Sequence, residues 1–199
     1  MKPSSKKKRD NFAERLTLKF AKEHFEQLGL PANFDRKLRS DDDWSLVVKL
    51  HALIEAAMTN ALVAHVGKEA TRDVFSRLSI GGRSGKMAFA KALNCADDRE
   101  IRFVQKLSEL RNKLVHDVRN VGFTLAAHIK KLSATERRTF VRNLFYLHVG
   151  YDAPEWEIDK AVRIVRRDPK YALWFTGLHA TAGLYLRFEL EKIQRTGGK

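Results

Sequence analysis

Arg111, Asn112 and His116, near the middle of the chain, have the types and spacing that phosphate chemistry needs. A guanidinium grips a phosphate through a two-pronged fork, an imidazole moves a proton near neutral pH, and an amide orients either group. On a helix, at ~100° per residue, Asn112 and His116 stand one turn apart on the same side, with Arg111 ~100° away from Asn112. Arg111 and His116 are ~7.5 Å apart along the axis, so one copy brackets a phosphate only loosely. Two copies facing each other across a two-fold would converge two arginines and two histidines on one cleft.

The element that must carry them is an amphipathic run from Asp98 to about His116. With Arg111 set at zero on a helical wheel, Leu110, Phe103, Leu114, Leu107, Val104, Val115 and Ile101 span ~260° through 0° to 80°. Arg111 lies within that apolar face, and the only acid in the arc is Glu100, in the first turn, where a carboxylate is favoured. A guanidinium keeps its charge, so on a buried stripe it requires a carboxylate, carbonyls or a bound anion. Two readings are open. Arg111 holds an anion, or it is a core arginine paired with Glu55, with His116 favoured by the helix C-terminus.

The rest of the chain supplies helices around this one. No proline occurs between Pro31 and Pro154, and there is neither an Asn-Gly hairpin signal nor sustained period-two alternation, so the expected class is all-α. A flexible basic arm is expected over Met1 to Lys8, then an amphipathic helix from Asn11 to Leu28, stopped by Gly29 and Pro31. Ser40 to Asp43 caps the next helix, Trp44 to Val66. Helices follow at Lys68 to Leu78, Lys86 to Asn94, Asp98 to about His116, Phe123 to Leu132, Thr135 to Val149, Glu155 to Arg167 and Lys170 to Ile193.

Ser108 to Asp117, S-E-L-R-N-K-L-V-H-D, resembles the signature of the HEPN superfamily: an arginine, a polar residue, three variable positions and a histidine near the end of a long helix in a small bundle. The helix L-H-A-L-I-E-A-A-M-T-N-A-L resembles that family's opening helix with its embedded Glu55. The loop and helix G-R-S-G-K-M-A-F-A-K-A-L, the motif helix and Phe123 resemble the mannitol-repressor-like branch. The similarity spans roughly Asp42 to Lys130. It implies a HEPN-type bundle at 41–132, preceded by a basic arm and amphipathic helix at 1–40 and followed by a helical extension at 133–199. It further implies a homodimer and either metal-independent endoribonuclease activity, of the kind met in toxins and phage-defence proteins, or a non-catalytic regulator of RNA or of a protein partner such as an antitoxin. Carried over by position, Arg111 would bind the scissile phosphate, Asn112 would orient it and His116 would be the acid or base. No cofactor and no metal are expected.

The chain has 199 residues, a length that suits one domain, and 44% of them are apolar, which suits a folded soluble chain. Its single cysteine, Cys95, excludes an internal disulfide framework and suits a reducing compartment. The net charge of +14 is concentrated at the ends. Residues 1 to 9 hold five basic side chains and no acid, residues 10 to 117 are nearly neutral, and residues 118 to 199 carry 15 basic against 8 acidic groups. Such a field attracts polyanions, RNA above all. Lys6, Lys7, Lys8 and Arg9 are candidate RNA contacts. So are Lys160, Arg163, Arg166, Arg167 and Lys170, interleaved with Trp156, Tyr171 and Trp174, which form either a strand-binding platform or a solvated helix face with aromatics in the core. No secretory signal is visible, and the longest uncharged stretch, Tyr171 to Leu186, falls short of the ~20 residues of a membrane span. The expectation is therefore a cytoplasmic protein with no membrane partner.

Gly81 to Lys86 lacks the spacing of a Walker loop, and Met87 stands where that motif needs Ser or Thr. His51 and His65 sit on the apolar side of their helix and read as core groups. Gly177, Ala180, Thr181 and Gly183 offer a small-residue face for close helix approach, which suits a dimer contact.

Overall fold

Absence of helix breakers over long stretches translates directly into helix. In a computed structural model the backbone is described for residues 5–197 and the side chains for residues 12–195. Among these the protein is all-α, 79% helical and without strands. Its helices are α1 (Ser5–Gln27), α2 (Phe34–Ser40), α3 (Asp43–Val66), α4 (Arg72–Arg77), α5 (Lys86–Ala92), α6 (Asp98–Val115), α7 (Leu125–Lys131), α8 (Ala134–Leu144), α9 (Glu155–Val165) and α10 (Pro169–Gly197).

The central helix is α3. Asp42 caps its start by accepting hydrogen bonds from the Ser45 amide (2.8 Å) and hydroxyl (2.6 Å). Gly67 ends it with φ of +72°, a left-handed conformation that a β-carbon disfavours. Being apolar nearly all round, α3 is long and apolar enough to cross a membrane, yet 72% of its most apolar window is buried inside the protein. Helices pack in the order α1, α10, α3, α6, α8, α9, each against the next, with α4 and α5 laid on α3. One apolar core runs from Ala21 to Leu184, so the segments 1–40, 41–132 and 133–199 share it.

Several expectations shift. Lys6, Lys7, Lys8 and Arg9 lie in α1, which starts at Ser5 rather than Asn11; no breaker interrupts this segment, and Lys and Arg are good helix formers. Their side chains, and residues 1–4, lie outside the described residues. Helix α2 is unforeseen: it is too short to show a period, and it is held by tertiary contacts, with Leu38 buried and the Trp174 indole donating to the Asp35 carbonyl (2.9 Å). The helix expected from Thr135 to Val149 breaks at Phe145, whose side chain is fully buried. Beyond the break a single 3₁₀ turn, Tyr146–His148, has its carbonyls captured by Arg99, which donates to Tyr146 and Val149. The small-residue face of α10 turns inward. A β-carbon on Gly177 would meet Leu50 of α3 at 2.3 Å, so this face serves packing within the chain and not a dimer contact.

Candidate functional site

The motif helix α6 is anchored at both ends. At its start Asp97 and Glu100 form a reciprocal capping box: the Asp97 carboxylate accepts from the amides of Arg99 and Glu100, and the Glu100 carboxylate accepts from the Asp97 amide. Glu100 is buried and also meets Arg187 of α10 at 2.8 Å. Burial raises its carboxyl above the usual range, against the pull of Arg187.

At its far end α6 leaves carbonyls that need donors. The His116 amide donates to Asn112 (3.2 Å), the Asn120 side chain reaches back to Lys113 (2.9 Å), and the Trp44 indole from α3 donates to Leu114 (3.3 Å). A 3₁₀ turn, Val118–Gly122, supplies Asn120 and is itself capped by Asp117, whose carboxylate takes the Arg119 amide and guanidinium. The backbone carrying Arg111, Asn112 and His116 is thereby fixed.

Their side chains are left open. Arg111 is half-buried, and its Nη1 donates to Asn112 Oδ1 at 3.1 Å. Among the described residues no carboxylate lies within 4.0 Å of its guanidinium. His116 is exposed at the C-cap, and its imidazole makes no hydrogen bond or ion pair among the described residues. The structure thus brings Arg111 and Asn112 into contact and sets His116 one turn beyond Asn112. Neighbouring clefts along α6 are lined by Lys113 and not by Arg111 or His116, so one chain does not enclose the three groups.

Glu55 is not the partner of Arg111. Its carboxylate accepts from Lys86 Nζ at 2.8 Å, and Lys86 also reaches the Ser76 carbonyl at 3.5 Å. The physical reason is burial. Lys86 is 1% exposed and cannot be left uncompensated, whereas the Glu55 side chain is 34% exposed and stands beside it. One turn earlier on α3, buried His51 faces Ser108 of α6, Nε2 to Oγ at 3.1 Å. Ser108 gives its one hydrogen to the Val104 carbonyl (2.8 Å), so His51 Nε2 is the donor and the imidazole takes that tautomer. Burial holds His51 below the usual histidine range; Glu55 opposes this, while Arg111 and Lys86 add to it. The Arg111 charge is therefore felt in a buried polar strip that runs from His51 and Ser108 to Glu55 and Lys86.

No family model, characterised protein or solved structure matches the chain.

Neither His51 nor Lys86 stands out in the sequence as part of this strip. The i, i+4 spacing of His51 and Glu55 is the available signal for the first; Lys86 lies 31 residues from Glu55, and only the fold brings it there. The glycine loop before Lys86 does not cradle phosphate. Its own Ser79 and Ile80 carbonyls take the Lys86 and Met87 amides, and a β-carbon on Gly85 would strike the Gly81 oxygen at 2.0 Å.

On α9 and the turn after it, Lys160, Arg163, Arg166 and Arg167 are exposed, and Lys170, at the start of α10, is half-buried. The interleaved aromatics do not form a platform with them. Trp174 is 4% exposed, Tyr171 is half-buried with its hydroxyl donating to Glu14, and Arg39 covers both rings at 5.4 and 4.9 Å; of the three, Trp156 alone is open. Cys95 is buried, which pushes its thiol up to about 11, an inert value. Among the described residues no group of three His, Cys, Asp or Glu side chains is placed to hold a metal ion.

Proposed function

We propose that the protein is a metal-independent endoribonuclease of HEPN type, cytoplasmic and active on RNA as a homodimer. The observation that carries the reading is Arg111: a half-buried residue on a fixed helix end whose guanidinium meets Asn112 at the surface and has no carboxylate of its own among the described residues. Such a group calls for an anion, and a phosphate fits its fork. With two copies of α6 facing across a two-fold, two Arg111 and two His116 side chains line one cleft. There an imidazole removes the ribose 2′-hydroxyl proton, the 2′-oxygen bonds to the adjacent phosphorus, and the bond to the 5′-oxygen breaks. That oxygen leaves with a proton from an acid, and the guanidinium stabilises the charge on phosphorus. The products are a 2′,3′-cyclic phosphate and a 5′-hydroxyl.

The test is cleavage of a mixed RNA pool in EDTA, with end-group analysis and sedimentation of the same samples. Arg111→Ala and His116→Ala should each lose ~10² to 10⁴ in rate as folded dimers, Asn112→Ala less. RNA that is bound but left intact, with both variants binding as well as the wild type, would overturn the enzyme reading in favour of a regulator of RNA or of an antitoxin-like partner.

A further inference from the structure

Two clefts of about 420 and 380 Å³ lie along the flank of α6 next to the motif, and they share Lys113 and His128. Lys113 follows Asn112 directly and, at ~100° per residue, sits ~60° round the helix from His116, so the clefts begin where the motif side chains end. The wall of the smaller cleft is positive, with Lys113, Arg119 and Lys131 and no carboxylate, while the larger sets Lys106 and Lys113 against Glu109 and Glu136. Of the carboxylates present, Glu109 is paired with Lys106 (2.9 Å), and Glu136 is used in the capping box of α8. Lys113 and Lys131 make no ion pair among the described residues. His128 stands between the two clefts, its ring 5.1 Å from Phe140 and 5.7 Å from Phe123, which is half-buried. Burial and the ammonium groups of Lys113, Lys106 and Lys131 hold its imidazole below the usual histidine range. Paired aromatic rings beside uncompensated lysines are the chemistry that single-stranded nucleic acid uses, bases on the rings and phosphates on the cations.

We propose that the Lys113–His128 clefts bind the single-stranded RNA segment flanking the phosphate held at Arg111, with Lys113 and Lys131 on its phosphates and the Phe123 and His128 rings against its bases. This rests on the RNA reading above, but its test does not need cleavage. The probe is a fluorescent, uncleavable 2′-O-methyl oligoribonucleotide, titrated by anisotropy against the full chain at several salt concentrations. Lys113→Ala with Lys131→Ala should flatten the slope of log affinity against log salt by about 1.4, two phosphates at ~0.7 each. Phe123→Leu, which keeps the apolar packing and removes the ring, should weaken binding about tenfold. In ¹⁵N spectra the His128 titration of the wild type should move upward when the oligonucleotide binds, a shift that a merely structural lysine cluster would not produce. An unchanged salt slope and an unmoved His128 would overturn the assignment, as would absence of binding. So would polyglutamate binding as tightly as RNA and without regard to Phe123, which would mark a docking site for an acidic protein. Unmodified RNA that binds here and survives intact would remove the ribonuclease reading and leave this site standing.

Discussion

Glu55→Ala and Arg111→Ala should separate sharply in stability, because the ion pair belongs to Glu55 and Lys86. Removing one partner of a fully buried pair costs about 3–5 kcal/mol, since the other is left charged and dry. Here Lys86 is 1% exposed, but water reaches the Glu55 side chain at 34%, which lowers the expected cost to about 2–3 kcal/mol. At ~2–4 °C per kcal/mol for a chain of this size, Glu55→Ala should lower Tm by about 5–10 °C. Arg111→Ala removes half-buried methylenes and a hydrogen bond to Asn112, worth about 1 kcal/mol or less. Lys86→Met in the Glu55→Ala background should restore much of the loss, because it removes the stranded charge. Urea denaturation at neutral pH of both single variants and of Glu55→Ala with Arg111→Ala measures the coupling. If the reasoning holds, the two costs add within about 0.5 kcal/mol. A coupling above about 1 kcal/mol would show that Arg111 and Glu55 are partners, and would remove the ground for assigning Arg111 to an anion.

His24 of α1 is fully buried, its ring 5.5 Å from Tyr185 of α10 and neither nitrogen hydrogen-bonded, and burial lowers its imidazole to about 4. Between about 6.5 and 4 the unfolded chain binds a proton that the folded one refuses. Stability is therefore fully present above about 6.5 and is lost as pH falls through this window, by up to about 3 kcal/mol. Denaturation across that range should show the loss in the wild type and a smaller one in His24→Phe. Deletion of residues 1–9 removes five positive charges. RNA affinity should fall and its salt slope flatten by up to roughly 0.7 for each phosphate no longer neutralised; an unchanged slope in anisotropy titrations would make that segment a solubilising one.

The class of fold and the main helices were legible because they rest on local signals: caps at Asp42 and Asp97, a stop at Gly67, and long apolar periods in between. What escaped depends on distant partners. Helix α2 owes its place to Leu38 and to Trp174, and the break at Phe145 owes its place to Arg99. At the candidate site, the wheel placed Arg111 on an apolar face and called for a counter-charge; the structure leaves the residue half-buried, its guanidinium at the surface on Asn112, with no carboxylate among the described residues. Glu55 was the acid in view, and nothing in the residues around Lys86 announces that it folds under α3 and takes that carboxylate.

That exchange bears on function more than the motif does. A match over ten residues recurs by chance, and a core arginine with a carboxylate would have explained this one without any ligand. With Glu55 committed to Lys86, that explanation lacks its acid. The end of α6 is then unevenly satisfied: three carbonyls of its last turn have donors, one of them the indole of Trp44 across the core, while the guanidinium and imidazole it carries have no anion among the described residues. Holding the backbone so firmly costs conformational entropy, and the apolar core could have closed over a leucine at position 111 without the charge. A rigid helix end presenting an unpaired cation and a free imidazole is what a positioned phosphate requires, and under the proposed reading the phosphate completes it.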